Sequence, residues 1–115
     1  MSQWENSLHA YVEQRMTPYM LRSQAYVQRN NSFAGRITRY DGSQGFIKNN
    51  TKGAPDCIIL FNKRFWAVEY KTLTGRQSPD QKRIQALIES AGGVYTIVRR
   101  PEDFEAALKE LTKVN

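Results

Sequence analysis

From Asp56 to Lys71 the chain reads "DCIILFNKRFWAVEYK". Two blocks of branched and aromatic residues flank a short polar turn, a pattern that fits little but a pair of largely buried antiparallel strands. The pair nevertheless carries charge: Asp56 opens its first strand, and Glu69 and Lys71 lie in the second. Successive side chains along a strand point to opposite faces, so Ala67, Glu69 and Lys71 share one face while Val68 and Tyr70 share the other. A two-residue turn makes cross-strand partners sum to an odd number, which brings Asp56 onto the Glu69 and Lys71 face. A turn at Asn62-Lys63 sets Asp56 opposite Glu69, and one at Lys63-Arg64 sets it opposite Lys71.

Three ionisable groups converging at one end of an apolar strand pair call for a physical reason. Buried ion pairs stabilise less than apolar packing of the same volume, so a self-neutralising cluster accounts poorly for them. Two neighbouring carboxylates repel unless a divalent cation sits between them, and hard oxygen ligands suit Mg²⁺ or Mn²⁺. A lysine beside them adds positive charge where a phosphorane-like transition state gathers negative charge, and it can orient an attacking water. The pattern points to metal-assisted phosphodiester hydrolysis.

At 115 residues the chain is long enough for one core and too short for two, so a single domain over 1–115 is expected. The net charge of +6 suggests a polyanionic partner. Its distribution sharpens that. Up to Gly53 the acids are Glu5, Glu13 and Asp41, against Arg15, Arg22, Arg29, Arg36, Arg39, Lys48 and Lys52. The stretch Arg29 to Lys52 also interleaves Phe33, Tyr40, Phe46 and four asparagines, side chains that contact phosphates and bases. Arg29, Arg36, Arg39, Lys48 and Lys52 are therefore candidate DNA contacts, and an ordinary solvated basic hairpin is the plain alternative. The lone Cys57 sits in an apolar run and reads as a small buried hydrophobe, not half of a disulfide. No basic n-region followed by an apolar h-region and no apolar run of membrane-spanning length is present, so a cytoplasmic protein without membrane contact is expected.

Trp4, Leu8, Tyr11, Val12 and Met16 recur at helical spacing, and the helix is expected to end near Thr17-Pro18, where proline kinks it or opens a second short helix. "QAYVQR", "SFAGRITRY" and "GFIKNN" read as strands, the last two joined by a turn around Asp41-Gly42-Ser43 and Gly45. Ser78-Pro79-Asp80-Gln81 is a helix start with a serine cap, proline at the first helical position and glutamine three after the cap. Ile84, Leu87, Ile88 and Ala91 give that helix an expected buried face, and Gly92-Gly93 ends it. "VYTIVR" is a further strand, and Pro101 to Leu111 closes the chain as an amphipathic helix with Phe104, Ala107, Leu108 and Leu111 inward.

Pro55-Asp56 followed by Glu69-Tyr70-Lys71 resembles the PD-(D/E)xK nuclease signature. The wider stretch "GAPDCIILFNKRFWAVEYKTLTGRQSPDQ" is similar to the VRR-NUC family, the virus-type replication-repair nucleases found as standalone phage proteins and fused to repair nucleases. The resemblance covers Gly53 to about Asp103 well and the first fifty residues loosely, through "QRNNS". It implies an α/β fold: a restriction-endonuclease-like αβββαβ core with a mixed central sheet flanked by helices. It also implies Mg²⁺- or Mn²⁺-dependent DNA cleavage, with Asp56 and Glu69 as metal ligands, the carbonyl of Tyr70 as a further one and Lys71 as a catalytic residue. Standalone members behave as homodimers favouring four-way junctions, which implies the same for this chain in a bacterial or phage-infected cell. Arg76, inside the matching stretch, joins the candidate DNA contacts.

Gln81 matches the family glutamine that opens the helix after the ExK strand, and it is equally the reciprocal partner in the Ser78 capping box. Nucleases of this fold usually add an acid from the first helix. At about 100° per residue, Glu5 falls on the apolar face and Glu13 outside it, so Glu5 is preferred and Glu13 held in reserve. The single His9 rules out clustered-histidine metal sites and reads as an ordinary surface or partly buried histidine. A noncatalytic DNA-binding module on the same fold is the alternative function, and an accessory subunit of a replication or packaging complex is compatible with either. Asp56, Glu69 and Lys71 are all present, which favours the nuclease.

Overall fold

The computed structural model describes residues 2–30, 34–48 and 52–113, the side chains of 34–37 and 45–48 excepted. Helix α1 (Gln3–Leu21) leads into strand β1 (Ala25–Arg29), then β2 (Ala34–Thr38) and β3 (Gln44–Lys48), which pair antiparallel as a two-stranded sheet. The apolar pair follows as β4 (Cys57–Phe61) and β5 (Arg64–Tyr70), then α2 (Pro79–Ser90), β6 (Val94–Val98) and α3 (Pro101–Thr112). The main sheet has the order β1-β4-β5-β6. Its first three strands run antiparallel, and β6 joins β5 in parallel after the α2 crossover. The result is a mixed central sheet with helices on both faces, the α/β core that the sequence resemblance implies.

The turn between β4 and β5 falls at Asn62-Lys63, pairing Phe61 with Arg64 and Cys57 with Val68. Both turn residues have left-handed backbone, Asn62 at φ 54° and Lys63 at φ 65°, the twist that closes a two-residue hairpin. Of the two registers open in the sequence, this one continues to Asp56 opposite Glu69.

One sheet face buries Ile59, Phe61, Trp66, Val68 and Val98 against Val12 and Met16 of α1 and Phe104, Leu108 and Leu111 of α3. Trp66 stacks on Phe104 at 4.9 Å and 9°, and its indole N–H donates to Thr96 Oγ1 at 2.9 Å. Arg15 clasps Glu105 through Nε and Nη2 at 2.6 and 2.9 Å, locking α1 to α3. The other face receives α2, whose Ile88 lies beside Gly93 close to Phe65.

Two expectations change. Helix α1 runs through Pro18 to Leu21 as one element and does not stop at Thr17. A proline there forfeits one helical hydrogen bond, and the contact of the Tyr19 ring with Phe61, 4.9 Å away, holds the last turn against the core. In α2, Ile84 and Ile88 are half-buried, but Leu87 and Ala91 are exposed. The helix lies over β6 at the side of the sheet, so only a narrow stripe one turn apart meets it.

Candidate active site

Asp56, Glu69 and Lys71 line one open cleft of about 310 Å³ together with Trp4, Glu5, Tyr70, Thr72, Gly75 and Gln81. Four separate pieces of chain meet there: the start of α1, the approach to β4, the end of β5 with its loop, and the first turn of α2. Strand alternation turns Glu69 and Lys71 to the same side, and the Asn62-Lys63 turn adds Asp56. A larger cleft of about 790 Å³ lies at the opposite end of the strands, lined by Tyr19, Tyr26, Leu60 and Phe61 among others, and none of its lining residues carries a carboxylate.

Glu69 is 2% exposed. Its Oε2 accepts a hydrogen bond from Gln81 Nε2 at 2.6 Å and lies 3.8 Å from Lys71 Nζ, whereas its Oε1 is buried with no hydrogen-bond partner among the described residues. Burial, then the charge of Asp56, pushes the Glu69 carboxyl well above the usual carboxylate range, and Lys71 pulls the other way. Asp56 is raised too, first by burial, against the pull of the Tyr70 backbone N–H that donates to its Oδ2 at 2.8 Å, with the charge of Glu5 adding to the rise. Two adjacent carboxyls whose ionisation is opposed by burial, and in Glu69 by the charge of Asp56 as well, form a site short of positive charge, with Lys71 as its neighbouring cation. The donor set therefore fits a hard divalent cation. Among the described residues no group of three or more His, Cys, Asp or Glu could hold a metal. A cation here would rest on Asp56, Glu69, backbone oxygen and solvent, the few-carboxylate, water-rich coordination that Mg²⁺ takes.

Each sequence candidate has a place. Gln81 makes a contact on each side: its Oε1 accepts from the Ser78 N–H at 2.9 Å in the capping box, while its Nε2 donates to Glu69 at 2.6 Å. Glu5 lines the cleft, and Ser2 Oγ donates to it at 3.0 Å. Glu13 instead meets His9 Nε2 at 3.2 Å. Lys52 sits 3.4 Å from Asp80 in the first turn of α2, one residue before Gln81. Arg76 is exposed in the loop just after Gly75. Arg29 turns toward α1, its Nη2 donating to Asn6 Oδ1 at 2.7 Å, and Arg39 is exposed beside the β2–β3 turn. The side chains of Arg36 and Lys48 lie outside the described residues.

Several supporting groups carry little or no sequence signal. His9 is no surface residue: it is 3% exposed, and its Nδ1 meets the Tyr70 hydroxyl at 2.7 Å. Asn30 steadies the Pro55-Asp56 step by donating its backbone N–H to the Asp56 carbonyl and its Nδ2 to the Pro55 carbonyl, both at 2.8 Å. Gly53, at φ 83°, passes so close to α2 that a Cβ there would fall 2.6 Å from the Asp80 carbonyl carbon. Arg99 ties the loop after Lys71 by donating to the carbonyls of Thr72 and Gly75, each at 2.7 Å. All four act on partners remote in sequence or on backbone atoms, which no spacing rule reports. Of them the glycine alone, as a common turn former, marks its position locally.

No protein-family model matches the chain, and no curated protein does. Among solved structures it is similar to one described as a "VRR_NUC domain", with a TM-score of 0.65 over 94% of this chain and 97% of that one, at 17% sequence identity. At that identity the likeness is one of architecture, and it extends over the strands and helices that build the cleft: this chain has the VRR_NUC fold.

Proposed function

We propose that the chain is a divalent-metal-dependent endodeoxyribonuclease whose active site is the Asp56–Glu69–Lys71 cleft. The observation that carries the reading is the buried Glu69 carboxyl beside Asp56: one oxygen accepts from Gln81 at 2.6 Å and lies 3.8 Å from Lys71, while the other meets no N–H donor among the described residues. Asp56, Glu69 and the Tyr70 carbonyl would hold Mg²⁺ or Mn²⁺, with Glu5 at the rim as a further acid. A bound ion supplies charge stabilisation of the phosphoryl transition state and a water acidified for attack. Lys71 lines the cleft 3.8 Å from Glu69, where its ammonium would meet a scissile phosphate and orient the nucleophile. Gln81 fixes the Glu69 rotamer. Arg76 follows the cleft residue Gly75 and Lys52 pairs with Asp80 next to Gln81; with Arg29, Arg36, Arg39 and Lys48 they would give the DNA backbone its cationic contacts.

The finer reading is a homodimer that nicks both strands of a Holliday junction. One site cuts one strand, and a twofold copy supplies the second site and doubles the basic surface.

The test of the chemistry is cleavage of labelled DNA in Mg²⁺ or Mn²⁺ by the wild type, Asp56→Asn and Glu69→Gln. Both variants should lose at least about 100-fold in rate while still binding DNA, as expected when transition-state stabilisation is removed. Wild-type rates in either variant, or undiminished cutting in excess EDTA, would remove the metal mechanism.

A further inference from the structure

On the far side of β5 from Glu69 lies a buried polar chain that the proposed chemistry does not use. His9 and Tyr70 meet at 2.7 Å through Nδ1 and the phenol oxygen, with their rings edge to face at 5.8 Å and 72°. His9 Nε2 lies 3.2 Å from Glu13 Oε1. Burial, then the charge of Arg29, lowers the imidazole pKa against the pull of Glu13 and so favours the neutral ring, with one donor and one acceptor nitrogen. An unprotonated Nε2 facing a carboxylate would be repelled; the tautomer assigned by the network therefore has Nε2–H donating to Glu13 and Nδ1 accepting the Tyr70 hydroxyl proton.

Tyr70 is thereby gripped at two ends. Its phenol is tied to α1, and its backbone N–H is tied to Asp56 Oδ2 at 2.8 Å. In extended backbone the N–H and C=O of one residue point to the same side, so the Tyr70 carbonyl also faces the Asp56 side. On α1, His9 stands one turn after Glu5, on the same helix face. The hydrogen bond that fixes how far α1 sits along β5 therefore also fixes where Glu5 enters the cleft. A polar pair this deep in the core, 61 positions apart in sequence, stabilises less than apolar packing would, which leaves registration as its benefit.

We infer that His9 and the Tyr70 hydroxyl are positioning residues that set the register of α1 against β5 and so hold Glu5, Asp56 and the Tyr70 carbonyl at the spacing that binds the divalent ion. The inference rests on the metal reading of the cleft.

The test measures Mn²⁺ affinity of the full-length, metal-free protein by the electron paramagnetic resonance signal of free Mn²⁺, with far-UV circular dichroism to check folding. Tyr70→Phe keeps the ring and removes only the hydroxyl; it should weaken Mn²⁺ binding about tenfold, the scale for groups that orient metal ligands. His9→Ala should do the same, and the double variant should lose far less than the two single losses added, because the His9–Tyr70 bond is shared; the Tyr70 hydroxyl also faces the Cys57 thiol and His9 also meets Glu13, so a small further loss is expected. His9→Asn, whose Oδ1 can replace Nδ1 as acceptor, should restore affinity to within about threefold of wild type. Folded Tyr70→Phe with Mn²⁺ affinity within about twofold of wild type, or strict additivity in the double variant, would overturn the inference. Glu69→Gln separates the two failures. If it abolishes Mn²⁺ binding while Tyr70→Phe does not, positioning alone is wrong; if it binds as wild type does, the metal reading falls and the inference with it.

Discussion

Glu69 shows what it costs to hold a carboxyl group in a core. Its folded pKa is raised above the unfolded value, so the folded state carries more proton than the unfolded one. The stability contributed by that proton is present below the unfolded carboxyl pKa and lost as pH rises through the folded one. His9 works in the opposite sense, since its pKa is lowered: its contribution is lost as pH falls below the unfolded histidine value. Between about pH 7 and about pH 8 histidine is largely neutral in both states, so the carboxyl dominates. Metal-free protein should show a falling melting temperature across that interval, and Glu69→Gln should flatten the slope. A wild-type slope that is flat or rising would mean that Glu69 is already ionised at neutral pH. At this scale the sequence was informative wherever strand alternation applied. Asp56, Glu69 and Lys71 could be placed on one face from parity alone, and Gln81 could be narrowed to two roles. The His9–Tyr70 bond was not legible, because nothing local distinguishes a histidine that finds a partner across the core from one that finds solvent.

Among the elements, the β4–β5 turn sets the register that aligns Asp56 with Glu69, yet its second residue is a poor choice for its backbone. Lys63 sits at φ 65°, where a residue with a Cβ is disfavoured by about 1 kcal/mol or more. Asn-Gly is the preferred pair for such a turn. Lys63→Gly should therefore raise stability by up to about 1 kcal/mol in urea titrations, and Lys63→Val should lower it by a similar amount. Equal effects of the two substitutions would show that the turn tolerates either backbone. The sequence placed helix starts well, since Ser78-Pro79-Asp80-Gln81 carries its capping chemistry within four residues. It placed ends and faces less well. Pro18 reads as a stop only if tertiary contacts are ignored, and Leu87 reads as buried only if α2 is assumed to lie centrally on the sheet.

For the molecule as a whole, the sheet face that α2 leaves uncovered carries an apolar row. Tyr26 pairs with Leu60 and Leu60 with Phe65 across three strands, at 55%, 49% and 37% exposure. Such a row is a surface that a second copy could bury, which supports the homodimer. Light scattering should return twice the mass of 13.3 kDa, and a four-way junction should be cut faster than a 5′ flap or a plain duplex. A monomer that cuts flap or duplex as fast as the junction would leave the nuclease standing and remove the resolvase. The individual strands and helices followed from hydrophobic periodicity and their arrangement as a mixed sheet from the family resemblance, but partner surfaces have no period to read.

The double bond-holding of Gln81 has a consequence for how chains of this design can vary. Its backbone N–H and side-chain oxygen are committed to Ser78, and its side-chain nitrogen to Glu69, twelve residues earlier. The intervening loop is also pinned midway by Arg99 at Thr72 and Gly75. An inserted or deleted residue between Lys71 and Gln77 must therefore break the helix start or release Glu69, and selection against either would remove it. The hairpin region between Arg29 and Gly53 is closed at its base, where Asn30 donates to the Pro55 and Asp56 carbonyls, and beyond that base β2 and β3 pair with each other, so added length there need not disturb the cleft. Length change across relatives should accumulate there, while the strand-to-helix loop stays at one length even after its residues have diverged.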